Sequence, residues 1–119
     1  MQSDLKQRTK KFALRIIKLY AALPRRAEAS VLGMQILKSG TSVGAHYREA
    51  CRAKSNADFI SKVEGALQEL DETAYWLELI GESGLLSAKR LEPLSTEAEE
   101  LIAILVTIVT KVKRKAGRG

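Results

Sequence analysis

The chain has 119 residues, of which 45% are hydrophobic and 29% charged; this fits one globular domain and excludes a disordered chain. A single cysteine, Cys51, excludes an internal disulfide and a cysteine-built metal cluster, and the longest apolar stretch, Leu101 to Val109, falls far short of the roughly 20 residues that cross a bilayer. The net charge of +6 and a pI near 9.6 direct attention to acidic partners.

Two prolines leave few obligatory breaks, and Ala, Leu, Glu, Lys and Arg favour helix throughout. Residues 4–21 repeat apolar groups at Leu5, Phe12, Ile16, Leu19 and Tyr20, a helical spacing with Ser3 as the expected N-cap. Pro24 ends that run by removing a donor and crowding the preceding turn. Residues 25–53 form the second segment, with Leu32, Ile36, Gly40, Val43, Tyr47 and Ala50 in one narrow arc. Its glycines Gly33, Gly40 and Gly44 each weaken a helix by about 1 kcal/mol relative to Ala. Gly40 lies on the apolar face and predicts a close helix approach. Gly44 falls to its side, where it only loosens the turn.

The third segment opens with Ser55 and Asp58, a serine three residues before an acid. Phe59, Val63, Ala66, Leu67, Leu70, Ala74, Leu77 and Ile80 then make one stripe, which Gly81 and Gly84 end. The fourth segment starts near Ser87, and Leu91, Leu94, Ala98, Leu101, Leu105, Ile108 and Val112 carry it to about residue 114. Pro93 either kinks its first turn or marks the true start of the long helix. No segment shows the period-2 alternation of a half-buried strand. The fold class is therefore all-α, an antiparallel up-down-up-down four-helix bundle occupying residues 1–119, with a basic, flexible tail at 115–119.

The charges gather at the two ends of the chain. Residues 1–20 carry +5, residues 111–119 another +5, and the middle −4. Up-down-up-down topology brings the start of the first helix and the end of the fourth to the same end of the bundle. Lys6, Arg8, Lys10 and Lys11 should therefore meet Lys111, Lys113, Arg114, Lys115 and Arg118 in one basic pole, where the summed field attracts polyanions.

At the centre of the chain, QILKSGTSVGAHYREA (Gln35 to Ala50) followed by ADFISKVEGALQELDETAYWLELI (Ala57 to Ile80) closely resembles a bacterial four-helix-bundle family. Its members include proteins encoded in intervening sequences of large-subunit ribosomal RNA genes. The resemblance covers roughly residues 10–112 and is strongest over 35–80. It implies an elongated bundle that assembles into a homopentameric barrel. A distantly similar protein, the accessory variability protein of diversity-generating retroelements, is basic and binds nucleic acid and a reverse transcriptase. The chain departs from the family pattern at His46, where Asn is usual.

Ser39, Ser42, His46 and Glu49 form a row on the second helix, and Glu69 and Glu72 lie in a similar row on the third. Two readings compete for them: a metal or acid–base site, or a structural polar network that fixes helix register. A di-iron bundle needs carboxylates from four helices and two Glu-x-x-His motifs, whereas this chain has one histidine, in the order His-x-x-Glu. The structural network is the reading adopted. Tyr75 and Trp76 could stack on nucleic-acid bases, but packing is the ordinary role of a helical aromatic. No phosphate-binding glycine loop, zinc spacing or dinucleotide fingerprint appears. The expectation is a non-enzymatic, self-associating scaffold that needs no cofactor or metal. It binds RNA or DNA through its basic pole. The alternative is an accessory subunit for a reverse transcriptase or other nucleic-acid enzyme. The polar, charged N-terminus predicts no secretory leader and hence a cytoplasmic location, away from membranes.

Overall fold

A computed structural model describes the backbone of residues 2–118 and the side chains of residues 4–117. Four helices follow one another: α1 Gln2–Ala22, α2 Ala27–Cys51, α3 Asn56–Glu82 and α4 Ala88–Arg118. They pack side by side into a rod of 53 × 21 × 21 Å. Among the described residues there is no strand. Each helix packs against its neighbours in the chain, and α1 touches α4 only lightly. The bundle is thus closed tightly on three seams and loosely on the fourth.

The starts and stops follow local chemistry. Ser55 is extended and its hydroxyl accepts a hydrogen bond from the Asp58 N–H at 3.0 Å, capping α3 as expected. Ser87 does the same for Arg90 N–H at 3.2 Å ahead of α4. Ser3 falls inside α1 and does not precede it. At the end of α3, Gly84 takes φ +78°, which a side chain would resist. Leu85 N–H then reaches back to the Ile80 carbonyl and Gly84 N–H to that of Gly81, each at 3.1 Å. Gly81 itself is helical, so only Gly84 performs the stop.

Pro93 does not mark the start of α4, which begins at Ala88. Its missing N–H leaves the Lys89 carbonyl without the usual donor one turn on. Both residues are exposed, so water can take the donor's place. The segment expected as a tail continues α4 through Arg118, and Gly119 lies outside the described residues.

The core draws on all four helices. Phe12, Ile16, Ile36, Val43, Tyr47, Val63, Leu70, Ile80, Leu101 and Leu105 are fully buried. Tyr20 lies at the exposed edge, outside that core. Thr9 and Thr73 fill places on the apolar stripes and are also fully buried. Each hydroxyl donates to a carbonyl one turn back, Thr9 to Leu5 at 2.7 Å and Thr73 to Glu69 at 2.8 Å, so the desolvated oxygens stay bonded.

The three glycines of α2 face α1. A Cβ on Gly40 would lie 2.7 Å from Cγ1 of Ile16, and one on Gly33 would lie 2.9 Å from Cδ1 of Leu23. Gly44, expected to one side, is buried against Thr9, whose Oγ1 would be 3.2 Å from an added Cβ. The stretch of α2 from Gly33 to Gly44 is therefore packed closely against side chains of α1 and the turn that follows it.

Candidate nucleic-acid interface

The light contact between α1 and α4 leaves a groove of about 1100 Å³ between them. Its walls are the first turns of α1 and the last turns of α4. Leu5, Tyr47, Phe59, Ile104, Ile108 and Val112 supply an apolar floor. Lys11 of α1 and Lys111 and Lys115 of α4 stand on its rim, together with Arg8 and one acid, Asp4. Residues separated by about a hundred positions in sequence thus share one groove, and the two basic segments come to the same end of the rod.

The basic residues differ in what they are free to do. Arg8 is held by two carboxylates of α4, Glu97 at 2.7 Å and Glu100 at 3.0 Å. The hydrogen bond to Glu97 is the chief reason its guanidinium is held above its ordinary pKa. That fork–fork geometry engages Nε and Nη2, so Arg8 clamps α1 to α4 and has only Nη1 left for a phosphate. Lys113 pairs with Glu64 of α3 at 3.0 Å, on the surface. Lys6, Lys10, Lys11, Lys111, Arg114 and Lys115 are exposed and form no ion pair among the described residues. The Arg118 side chain lies outside the described residues.

Tyr47 lies in the groove floor and is fully buried, and its Oη has no hydrogen-bond partner among the described residues. Burial, with the Cys51 thiol close by, pushes its phenol well above the ordinary range. The native state therefore holds this proton more tightly than the unfolded chain. The resulting stability is present below the unfolded phenol's pKa of about 10 and is lost as pH rises beyond it. Tyr47→Phe is expected to match or exceed the parent in thermal stability at neutral pH, since it removes an unsatisfied hydroxyl. It should also lose less stability on going to about pH 11. Parallel melting curves for the two proteins across that range would refute the assignment.

The polar rows assemble only in part. His46 Nδ1 lies 3.1 Å from Glu49 Oε1, and its Nε2 lies 3.7 Å from Glu69 Oε2 on α3. Its ring lies close to Gly65, where an added Cβ would sit 3.3 Å from Nδ1. The histidine thereby bridges α2 and α3. Ser42 turns back to the Lys38 carbonyl at 2.6 Å, and Glu72 is exposed and forms no hydrogen bond among the described residues. Ser39 bonds to a residue absent from the expected set: its hydroxyl meets that of Thr73 at 2.8 Å in the buried α2–α3 seam. The spacing Leu70, Thr73, Leu77, Ile80 places Thr73 on the core face, which was the available signal. Among the described residues, no three His, Cys, Asp or Glu side chains gather as metal ligands would. Tyr75 and Trp76 sit 5.2 Å apart, Trp76 against the core and Tyr75 in solvent.

Thr73→Val removes one hydroxyl at nearly constant shape. Ser39 Oγ then keeps only its long 3.4 Å approach to the Ile36 carbonyl. The expected loss is about 1–2 kcal/mol in urea unfolding. Adding Ser39→Ala should restore part of it, because no buried hydroxyl is then left short of a partner. A single variant as stable as the parent would show that the bond contributes nothing.

The sequence matches the family described as 23S rRNA-intervening sequence protein over residues 1–107. The chain belongs to that family. A solved structure of similar fold is a protein of unknown function from the S23 ribosomal protein family of Bacteroides thetaiotaomicron. It shares 39% identity and a TM-score of 0.86, and the match covers 92% of this chain and 99% of that one. No protein of curated function matches. The 23S rRNA-intervening sequence protein family thus accounts for the bundle, while its matched region stops short of Lys111 and the basic end of α4. No helix among the described residues is long and apolar enough to cross a membrane.

Proposed function

We infer that the protein is a non-enzymatic basic scaffold that self-associates and binds nucleic acid through the pole formed by α1 and the end of α4. The observation that carries this reading is the shared groove, where Lys11 meets Lys111 and Lys115 while the neighbouring Lys6, Lys10 and Arg114 stay unpaired among the described residues. Phosphates bound there would displace condensed counterions, so affinity should fall steeply with salt. The test is oligonucleotide binding across a salt series, together with the solution mass of the protein. Tight binding that ignores salt, or no binding at low salt, would reject the reading.

Self-association is supported by apolar side chains left in solvent on α1 and α2. Ile17, Val31 and Met34 are 45%, 63% and 55% exposed, and the Tyr20 hydroxyl lies 3.6 Å from the Met34 sulfur. The same surface supports a second reading, an accessory subunit that docks on a nucleic-acid enzyme such as a reverse transcriptase. Recovery of one protein partner after nuclease treatment would favour that reading. A closed homo-oligomer such as a pentamer, with this face covered, would favour the first.

A further inference from the structure

We propose that the α1–α4 groove binds single-stranded nucleic acid in preference to duplex, taking unstacked bases onto its apolar floor while the strand's phosphates lie on Lys11, Lys111 and Lys115. The inference rests on the nucleic-acid reading above and specifies the form of the ligand.

A surface that holds only duplex phosphates needs cationic and hydrogen-bonding groups but no apolar trough. Here the lysines border an apolar trough of about 1100 Å³, as large as a site for a substantial organic ligand. The match is one of charge and polarity together. A single strand is anionic along its backbone and apolar on its base faces, and its bases can turn away from the backbone. In a duplex the base faces are stacked and beyond reach. Phe59 contributes an aromatic ring to the floor, and Leu5, Ile104 and Ile108 give apolar contact on either side. Base–aromatic contact of this kind tolerates any sequence, because every base has a π-face.

Tyr47, fully buried beneath that floor, supports it from below and presents no exposed donor. Arg8, locked onto Glu97 and Glu100, fixes the wall of the trough and leaves most phosphate contact to the lysines.

The experiment compares a labelled oligothymidine strand with a blunt duplex of equal length, by fluorescence anisotropy at one fixed salt concentration. Ala103 and Thr107 are exposed groove residues on α4, so Ala103→Trp and Thr107→Trp fill the trough without removing core or charge. Phe59→Leu removes the ring at similar volume. Circular dichroism melts identify any variant that has lost its fold. Expected are a preference for the strand of about tenfold, and a loss of about that size in each folded groove variant with duplex affinity nearly unchanged. Equal affinity for strand and duplex, or strand binding that survives both tryptophans, overturns this inference and leaves the nucleic-acid reading standing. Absence of binding to either ligand overturns both.

Discussion

Gly40→Leu is expected to destabilise the protein by about 3 kcal/mol and to lower its melting temperature by about 10 °C. The cause is not helix propensity, which favours Leu over Gly by somewhat under ~1 kcal/mol. A Cβ at this position would lie 2.7 Å and 2.9 Å from the two γ-carbons of Ile16 and 3.2 Å from its Cβ. Ile16 is fully buried and branched at the atom concerned, so it cannot swing aside. The only relief is to move α1 away from α2, which opens the core that Phe12 and Ile16 fill. Gly117→Ala serves as the control, because no atom of the described residues lies within 4 Å of a Cβ there. Thermal unfolding of the two variants decides the matter. A Gly40→Leu protein as stable as the parent would mean that the α1–α2 seam is not close-packed in solution.

The largest effect on binding is expected from neutralising Lys11, Lys111, Arg114 and Lys115 together as glutamines. Each phosphate left without its cation reduces the slope of log affinity against log salt by about 0.7–0.9. Four such phosphates should therefore flatten that slope by about 3 and weaken binding by about two orders of magnitude near physiological salt. These residues are exposed, so the melting temperature should hardly change. Arg8→Gln should do the reverse. It breaks the bidentate clamp to Glu97 and the bond to Glu100 while taking little from the phosphate surface. Titrations of both variants over a salt series separate the roles. If Arg8→Gln weakens binding as much as the quadruple change, the division between clamp and phosphate-binding residues fails.

Much of the bundle was legible because its signals are local. The Ser55 cap, the stop at Gly84 and the stripes of α3 and α4 depend on residues within a few turns of one another. What the sequence concealed depends on the facing helix. Gly40 lies on the stripe and was readable as a close approach, but Gly44 is buried only because α1 brings Thr9 against it. Ser39 was placed in a polar row, yet its partner Thr73 sits among leucines and looks like part of the core pattern. At the site, charge count and topology brought the two basic segments together. They could not tell Arg8 from Lys11, since only the register of α1 against α4 decides which of them meets Glu97. The groove itself had no sequence signature, because it is a space between helices and not a pattern along one.

The loose α1–α4 seam also bears on the order in which the protein assembles. The three tight seams join consecutive helices, so each closes only a short turn. The seam joining α1 to α4 has to bring together groups such as Arg8 and Glu97, 89 positions apart. Loop-closure entropy rises with the logarithm of that separation, and the lightly packed fourth seam does little to offset it. The three hairpins are therefore expected to form first and the ends of the chain to meet last. Substitutions along α1–α4 should then speed unfolding and leave the folding rate almost unchanged, which stopped-flow measurements on Glu97→Gln can check.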